Sequence, residues 1–377
     1  MRQDVDPFAR LGLRAVVNAR GRYTTLGGSL MAERVLDAMS AAGRSYVDMF
    51  ELHRRAGARI AELTRNEAAY VCNGSAAGLF LATLACATGP DDVAIARLPV
   101  LGDRDEVVIH RSHRMPMDPA IELTGVRLVE IGNVMRTEAA ELRAALSART
   151  AAVVYMAGDF FAQGALGLRE TVDIAHEAGV PVVVDAAALL PPATNLWHFT
   201  EEVGADLAIF SGGKDLSGPQ ASGMILGRAD LVDACFRHGS PHTRLARAMK
   251  VGKEEIAGLV AALELYLETD HDERLERMDA VVATWVDRLG ALPGVRAERS
   301  FPNSMGQPVP RAVLEVDPAT AGLDARELAR RLADGEPSVL VRIRPHERRI
   351  FLSPDTLDDD EARLVVDRIS ALVTGRG

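Results

Sequence analysis

The sequence predicts an α/β fold in which a mainly parallel β-sheet carries helices on both faces, followed by a smaller α+β domain. Short β-branched runs alternate with longer helical patterns through the middle of the chain, which is typical of parallel sheets. The pattern changes after residue 254. A second domain also suits a chain of 377 residues, because single cores stop growing at about 250–300 residues.

The strand candidates of the larger part are short apolar runs. They occupy residues 69–72, 107–109, 127–131, 151–155, 182–185 and 207–210. Helices are predicted between them at 138–147 and 168–178, and Gly179 suits the end of the second, where glycine adopts the left-handed conformation at low cost. The alanine-rich stretch 79–88 predicts a helix that begins directly after residues 73–78.

The smaller part begins with a long helical pattern at 254–269 that continues to about Leu289. Strands are then predicted at 294–296, 312–316, 339–343 and 350–352, with helices at 323–332 and 359–372. We therefore expect an N-terminal segment over residues 1–50, a large domain over 51–270 and a small domain over 271–377.

Composition narrows the function classes. A hydrophobic fraction of 48% and a charged fraction of 25% are typical of soluble globular proteins. The net charge of −10 argues against a nucleic-acid partner, which requires a clustered basic surface. The N-terminus lacks the apolar core of a signal peptide, and we expect a cytoplasmic protein with no membrane partner. Cys72, Cys86 and Cys235 are widely spaced, so we expect reduced thiols and no metal site.

The candidate chemistry centres on Lys214 and Asp185. Lys214 ends the run Ser211-Gly212-Gly213-Lys214 directly after an apolar strand, and an amine that forms a Schiff base must be deprotonated, which desolvation favours. Asp185 ends strand 182–185, where open α/β sheets place ligand contacts. An amine and an acid are the two anchors of pyridoxal 5′-phosphate (PLP). The alternatives are a solvated loop lysine and a turn or capping aspartate.

Two further features fit the same cofactor. Residues 73–78 open a helix, and the free N–H groups of a helix N-terminus suit a phosphate; an ordinary capping turn is the alternative. Ser211 offers a hydroxyl donor to the same group. His113 follows strand 107–109 and can stack on the cofactor ring or carry protons. His110 competes with it, and a solvent-facing loop histidine is the third interpretation.

Several motifs taken together resemble one family. They are residues 18–29, residues 73–78, Val184-Asp185, Ser211-Gly212-Gly213-Lys214 and Gly218-Pro219-Gln220. In this order they resemble the fold-type I PLP enzymes related to bacterial selenocysteine synthase (the seryl-tRNA selenium transferase), especially the D-glucosaminate-6-phosphate ammonia-lyase-like branch. The likeness extends from about Val16 to Leu372.

The resemblance implies a seven-stranded sheet, a small C-terminal domain and a homodimer or larger homo-oligomer. Its active site would lie at a subunit interface, to which the N-terminal segment contributes. Lys214 would hold the cofactor, Asp185 would pair with the pyridine nitrogen, and His113 would lie over the ring. The remaining cofactor-binding residues implied by the resemblance are Ser75, Ala76, Ala77, Ser211 and Gln220.

The resemblance also implies arginines for a carboxylate-bearing amino-acid substrate. Arg342 lies where the small-domain strand of these enzymes offers an arginine, and Arg344 lies on the same face of that strand. Solvent-facing partners of acidic residues are the alternative for both. Arg20 and Arg22, with Thr25 in the same loop, are candidates for a phosphate or a second carboxylate. Arg20 is unusual for the family and also indicates a possible change of substrate.

The family favours α,β-elimination with release of ammonia, so a lyase is the first hypothesis. Racemisation or epimerisation and transamination start from the same removal of the α-proton and stay open as alternatives. We do not expect action on charged tRNA, because the long N-terminal tRNA-binding domain is not recognised and the chain is acidic. A catalytically silent binding protein is the remaining hypothesis, against which the presence of both Lys214 and Asp185 argues.

Overall fold

The computed structural model describes residues 7–344 and 348–375, and the chain in it forms two compact units. The lysine unit comprises Gly27–Thr269 and Ser304–Gln307. The terminal unit comprises residues 7–26, Asp270–Asn303 and the described residues from Pro308 onward. The three-part division predicted from the sequence stays a prediction, and its residues 1–6, 345–347 and 376–377 lie outside the described residues.

The described residues form strands β1 (Val16–Asn18), β2 (Ala68–Cys72), β3 (Glu106–His110), β4 (Arg127–Ile131), β5 (Thr150–Met156), β6 (Val182–Asp185), β7 (Leu207–Ser211), β8 (Gly223–Gly227), β9 (Val295–Ser300), β10 (Arg311–Val316), β11 (Ser338–Leu340), β12 (Arg342–Arg344) and β13 (Arg349–Leu352).

The α-helices are α1 (Glu33–Gly43), α2 (Met49–Thr64), α3 (Gly74–Thr88), α4 (Asp92–Arg97), α5 (Pro119–Glu122), α6 (Ala139–Ala145), α7 (Asp159–Ala162), α8 (Leu168–Glu177), α9 (Asn195–Trp197), α10 (Ala229–His238), α11 (Lys253–Glu268), α12 (His271–Gly290), α13 (Pro318–Ala321), α14 (Ala325–Asp334) and α15 (Asp359–Val373). Within the described residues, no helix has the length and apolar character needed to span a bilayer.

The lysine unit is built on a seven-stranded sheet of order β2-β8-β7-β6-β5-β3-β4. Strands β4, β3, β5, β6 and β7 are parallel, whereas β8 is antiparallel to both of its neighbours. All seven residues of β5 are buried, because helices cover both faces of the sheet. This burial explains why the strand is a continuous apolar run rather than an alternating one.

Most of the predicted elements of the lysine unit are confirmed. Strands β4 and β6 have the predicted bounds, and the other predicted strands differ by one residue at one or both ends. Gly179 lies just after α8 with φ of 69°, as expected of a helix C-terminus. Helix α3 begins at Gly74, so the prediction that it starts after Gly78 is wrong. The helix therefore includes Ser75, Ala76 and Ala77 in its first turn.

The terminal unit combines a four-stranded antiparallel sheet, β12-β13-β10-β9, with a two-stranded parallel sheet of β1 and β11. Helices α12 and α15 cover the core, where the Trp285 indole donates a hydrogen bond to the Ala362 carbonyl oxygen at 2.9 Å. The core face of the large sheet carries Ala312, Leu314, Ile350 and Leu352, all fully buried.

Two predictions for this unit are wrong. The single strand at 339–343 is two strands, because β11 pairs with β1 whereas β12 pairs with β13 in the other sheet. The long helix is also divided, into α11 and α12. Asp270 causes the break, since its carboxylate accepts hydrogen bonds from the backbone N–H groups of Asp272 and Glu273 and so caps a new helix.

Candidate active site

The predicted lysine and aspartate lie at one edge of the seven-stranded sheet. Asp185 is the last residue of β6 and pairs with Met156 of β5 on one side and Ile209 of β7 on the other. Lys214 follows the end of β7 by three residues. Since β5, β6 and β7 are parallel, their carboxyl ends meet at the edge where open α/β sheets bind ligands.

Burial shifts both ionisable groups toward their neutral forms. Loss of water lowers the pKa of the Lys214 amine below its ordinary value, and the Asp185 carboxylate opposes that shift. Loss of water likewise raises the pKa of Asp185, opposed by the Ala187 N–H, which donates to its Oδ1 at 2.9 Å, and then by Lys214. Burial therefore favours the neutral amine of Lys214, and a cation placed beside Asp185 would favour its carboxylate form.

The loop that carries Lys214 is fixed by close backbone packing. A Cβ at Gly28, whose φ is 82°, would lie only 2.5 Å from the Gly213 carbonyl oxygen, so this position accepts glycine alone. Ser29 donates its hydroxyl to the Lys214 carbonyl oxygen at 2.6 Å. The segment 27–29 therefore holds the lysine loop directly, within the same unit.

The N-terminus of α3 lies at the same edge. Cys72 of β2 and Ser211 of β7 both pair with Gly223 of β8, so the end of β2 and Ser211 flank a single residue. A Cβ at Gly223 would lie 2.8 Å from the carbonyl carbon of Gly74, and α3 thus begins directly against β8. No side-chain hydrogen bond caps this 15-residue helix at Asn73. Its first turn is free to donate to an anion.

His113 lies beside these groups as a buried, neutral imidazole. The backbone N–H of Met156 donates to its Nδ1 at 3.2 Å, so the proton of the neutral ring is on Nε2. Burial lowers the pKa of His113 to about 3, helped by His110, and burial lowers the pKa of His110 to about 4. The Nε2 of His113 is buried without a hydrogen-bond partner. The solvent-facing interpretation of both histidines is wrong, since each is 0% exposed.

The environment of these residues, and not only their identity, fits PLP. The cofactor requires a desolvated amine, an acid for its ring nitrogen and an anion seat for its phosphate. Lys214, Asp185 and the uncapped start of α3 supply them at one sheet edge, and the orphaned Nε2 of His113 leaves a donor available there. The chain contains only three lysines, with Lys250 and Lys253 as the others, so the chemically special one is easy to isolate.

The remaining predicted site residues are placed as follows. Gln220 belongs to the lysine unit, is exposed, and its Cα would lie 2.6 Å from a Cβ at Gly213. The predicted substrate residues belong to the terminal unit. Within that unit Arg20 stacks on Tyr23 with 5.0 Å from Cζ to the ring centroid, and Arg22 forms an ion pair with Asp355. Thr25 is exposed in a short 3-10 helix.

Arg342 and Arg344 both lie over the ring of Phe351, with Cζ at 5.9 and 5.1 Å from its centroid. They share one face of β12, as the two-residue spacing predicts. Their role in substrate binding stays a prediction.

Sequence reasoning missed three residues that the structure brings out. Ser29 belongs to the motif at residues 18–29, but the motif did not reveal that its hydroxyl holds the lysine loop. Tyr155 places its ring 4.6 Å from that of His113, edge to face, and its hydroxyl donates to the Leu166 carbonyl oxygen. Arg311 opens β10 with a half-buried guanidinium. Only Ser29 had a visible signal, its place in the glycine-rich run.

Comparisons with known proteins agree with this site. Residues 16–284 match the family described as L-seryl-tRNA selenium transferase. The chain is 38% identical over 383 residues to a 5′-C-glycyluridine monooxygenase-decarboxylase from a Streptomyces species, covering 98% of this chain and 92% of that protein. It is 31% identical over 369 residues to the D-glucosaminate-6-phosphate ammonia lyase of Salmonella typhimurium, covering 96% of each.

A solved structure of D-glucosaminate-6-phosphate ammonia-lyase superposes with a TM-score of 0.85 at 29% identity, covering 99% of this chain and 100% of that one. The architecture of the chain is therefore that of the fold-type I PLP enzymes.

Proposed function

The chain belongs to the L-seryl-tRNA selenium transferase family and is a PLP-dependent enzyme of fold type I, and from this premise we propose that it eliminates a β-substituent from an anionic amino acid. The observation that carries the proposal is the pairing of a desolvated Lys214 with Asp185 at the sheet edge. The relative named as an ammonia lyase supports the reaction type.

In this proposal the chain's own residues hold the cofactor and move the protons. PLP supplies an electron sink for the α-carbon of the substrate. Ser211 and the first turn of α3, with Ser75, Ala76 and Ala77, would hold its phosphate. Asp185 would pair with the ring nitrogen, because a cation relieves the cost of burying the carboxylate. His113 and Gln220 would complete the cofactor-binding residues.

Lys214 has two tasks. As a neutral amine it would anchor the cofactor, and as a free amine its Nζ would remove the α-proton of the substrate. The Ser29 hydroxyl bonded to the Lys214 carbonyl oxygen fixes the backbone while the side chain exchanges partners. Departure of a β-hydroxyl as water then leaves an enamine, whose hydrolysis gives a keto acid and ammonia. Racemisation and transamination remain the alternatives that begin with the same proton removal.

A second candidate reaction is oxidative decarboxylation. The relative named 5′-C-glycyluridine monooxygenase-decarboxylase is 38% identical to this chain over 98% of its length. Such a reaction consumes molecular oxygen and releases carbon dioxide, whereas elimination does neither. Oxygen consumption and carbon dioxide release therefore distinguish the two reactions, as do their organic products.

The proposal is tested first by covalent trapping. Purified protein loaded with PLP is reduced with borohydride, and its peptides are mapped by mass spectrometry. We expect the pyridoxyl adduct on Lys214, with Lys250 and Lys253 unmodified as internal controls. Adduct on the other lysines, or none after reconstitution with PLP, contradicts the proposal and supports the catalytically silent protein.

The reaction is then identified with candidate substrates in deuterated buffer. D-Glucosaminate 6-phosphate, D- and L-serine and a 5′-C-glycyl nucleoside are each incubated with the enzyme, under air and under nitrogen. We expect keto acid and ammonia at the same rate under both gases. Carbon dioxide formed only under air would instead establish the second candidate, deuterium at an inverted α-carbon a racemase, and dependence on a second keto acid an aminotransferase.

The proposed substrate is an amino acid with a second anionic group, and the predicted residues for it are Arg342, Arg344, Arg20, Arg22 and Thr25. The lyase relative acts on a phosphorylated sugar acid by its name, and cations in this number suit such a molecule. We expect Arg342→Ala to raise KM far more than it lowers cofactor occupancy. An unchanged KM would mean that another of these five residues binds the substrate carboxylate.

We also propose a homo-oligomer. Large apolar side chains are exposed in one stretch of the lysine unit, among them Leu30 at 86% and Tyr46 at 105%. Exposed large apolar side chains of this kind suit an interface. Light scattering is expected to give at least twice the chain mass of 40.5 kDa, and a monomer at micromolar concentration contradicts this part of the proposal.

A further inference from the structure

One face of the four-stranded sheet in the terminal unit gathers positive charge. Phe351 of β13 pairs with Arg342 of β12 and with Val313 of β10. Because side chains alternate along strands, Arg344 and Arg311 lie on this same face, two residues from those partners. The opposite face packs into the core. We call Arg311, Arg342, Arg344, Phe351 and Ser353 the arginine face.

Arg311 is buried in a way that a structural ion pair does not explain. Its Nε is buried without a hydrogen-bond partner, and no ion pair involves it within residues 7–344 and 348–375. Burial lowers the pKa of Arg311, and Arg342 and Arg344 lower it further. An arginine keeps its charge in proteins, so this burial costs free energy that a bound anion would recover.

The carboxylate that acts on the charge of Arg311 is already paired with another arginine. Asp355 and Tyr23 are close enough to act on the charge of Arg311. Asp355 accepts from Arg22 through its Oδ2, and its backbone carbonyl accepts from the same guanidinium at 2.6 Å. The Oδ1 of Asp355 is buried without a hydrogen-bond partner, so it accepts no hydrogen bond from Arg311. Glu315 on the neighbouring part of the sheet pairs with Arg349 at 3.1 Å.

A second polar group points to the same place. Ser353 is only 2% exposed, and its hydroxyl oxygen is buried without a partner. Ser353 directly follows the last residue of β13, Leu352, which pairs with Ala312, so an extension of this antiparallel register would bring Ser353 opposite Arg311. The backbone N–H of Ser353 donates to the Ala19 carbonyl oxygen at 2.9 Å. A buried hydroxyl without a partner costs free energy unless a ligand satisfies it.

We propose that the arginine face is an oxyanion-binding site in which Arg311 and Ser353 bind a phosphate or carboxylate, flanked by Arg342 and Arg344. The guanidinium of Arg311 donates to two oxygens of the anion, and the Ser353 hydroxyl donates to one. This inference rests on the proposed anionic substrate, deepens that proposal, and assigns a ligand role to two residues that the sequence did not single out.

The test is direct binding to the PLP-loaded enzyme, in which the cofactor occupies its own phosphate seat. Inorganic phosphate and, separately, malonate are titrated by calorimetry, which distinguishes a phosphate from a carboxylate ligand. Arg311→Gln is expected to weaken binding by about tenfold to a hundredfold, and Ser353→Ala by about twofold to tenfold. Arg349→Gln is the matched control, since Arg349 lies on the same sheet but is paired with Glu315, and its affinity is expected to equal wild type.

A thermal measurement separates a ligand role from a structural one. In anion-free buffer Arg311→Gln is expected to melt at or above the wild-type temperature, because an uncompensated buried charge is removed. A lower melting temperature, failure of this variant to fold, or full phosphate and malonate affinity in both variants overturns the proposal. So does wild-type protein that binds neither anion, or an equal loss in Arg349→Gln. The lysine-trapping experiment reports on the reaction independently of every one of these outcomes.

Discussion

The lysine site and the arginine face both bury positive charge, but they differ in whether that charge can be lost. Lys214 can release its proton, and burial beside Asp185 moves both groups toward neutrality. Arg311 cannot, because guanidinium stays protonated in proteins. The same desolvation therefore makes a nucleophile at one place and an unsatisfied cation at the other. The consequence of burial therefore depends on whether the side chain can lose its proton.

Replacement of Lys214 by arginine is the strongest test of this comparison. Lys214→Arg retains the charge and length but cannot become a neutral amine, so we expect borohydride trapping of PLP and all turnover to fall to background. Lys250→Arg, at an exposed position, is expected to match wild type. Residual turnover above a thousandth of the wild-type rate would show that the amine at position 214 is not required.

Removal of the carboxylate is expected to have the next largest effect. Asp185→Asn keeps the shape and the acceptor for the Ala187 N–H but loses the charge, so the ring nitrogen is no longer held as a cation. We expect kcat to fall by about 10²–10³-fold while PLP is still trapped on Lys214. Steady-state kinetics beside the trapping assay measures both, and a kcat within twofold of wild type excludes the assigned role.

The packing of the lysine loop is tested by a pair of glycines. Gly28→Ala introduces a Cβ 2.5 Å from the Gly213 oxygen in a left-handed backbone, and we expect a loss of about 3 kcal/mol in the free energy of unfolding together with weaker PLP trapping. Gly179→Ala has φ of 69° but open space around the new atom. Its cost is expected to be about 1–2 kcal/mol, without effect on trapping. Urea titration compares them, and equal losses would mean that only φ matters.

The last prediction concerns a buried histidine, His53, and the dependence of the free energy of unfolding on pH. Burial lowers the pKa of His53, stacked on Tyr70, from its ordinary 6.5 to about 4, with a smaller contribution from His242. Between these values the unfolded chain binds a proton that the folded chain does not, so stability falls as the pH drops from 6.5 toward 4. His53 contributes up to about 1.4 kcal/mol per pH unit to that slope.

His53→Phe removes the titrating group and retains the stacked ring. The free energy of unfolding, measured by urea titration at several pH values, is therefore expected to decline less steeply than that of wild type below pH 6.5. Parallel curves for the two proteins would show that His53 is protonated in the folded state as readily as in the unfolded one.

The sequence was a good guide wherever one signal dominated. Strand β6 is an apolar run in a sheet covered on both faces, and its bounds were predicted residue by residue, as were those of the edge strand β4. Strand β8 was not predicted, since it is bounded by Gly223 and Gly227 and runs against its neighbours. The break at Asp270 depends on one capping carboxylate inside an otherwise continuous helical pattern.

The site was predictable to the same extent. Asp185 ends β6 and Lys214 follows the end of the adjacent parallel strand β7, and the alternation of strands and helices predicts such parallel strands. Ser29 contacts Lys214 across 185 positions of sequence, which no local pattern reveals. Arg311 is the first residue of a strand, where an arginine is usually solvated. The groups that act on its charge, Asp355, Tyr23 and two arginines, come from other segments of the chain.

The parallel pairing of β1 with β11 has a consequence for how the protein is made. Val16 pairs with Ser338, so β1 finds its partner only after more than 300 further residues have been synthesised. At about 5–20 residues per second that delay lasts on the order of half a minute. During it the Gly27–Thr269 body has its own sheet complete, whereas the edge of β1 stays open to a chaperone, a neighbouring nascent chain or a protease.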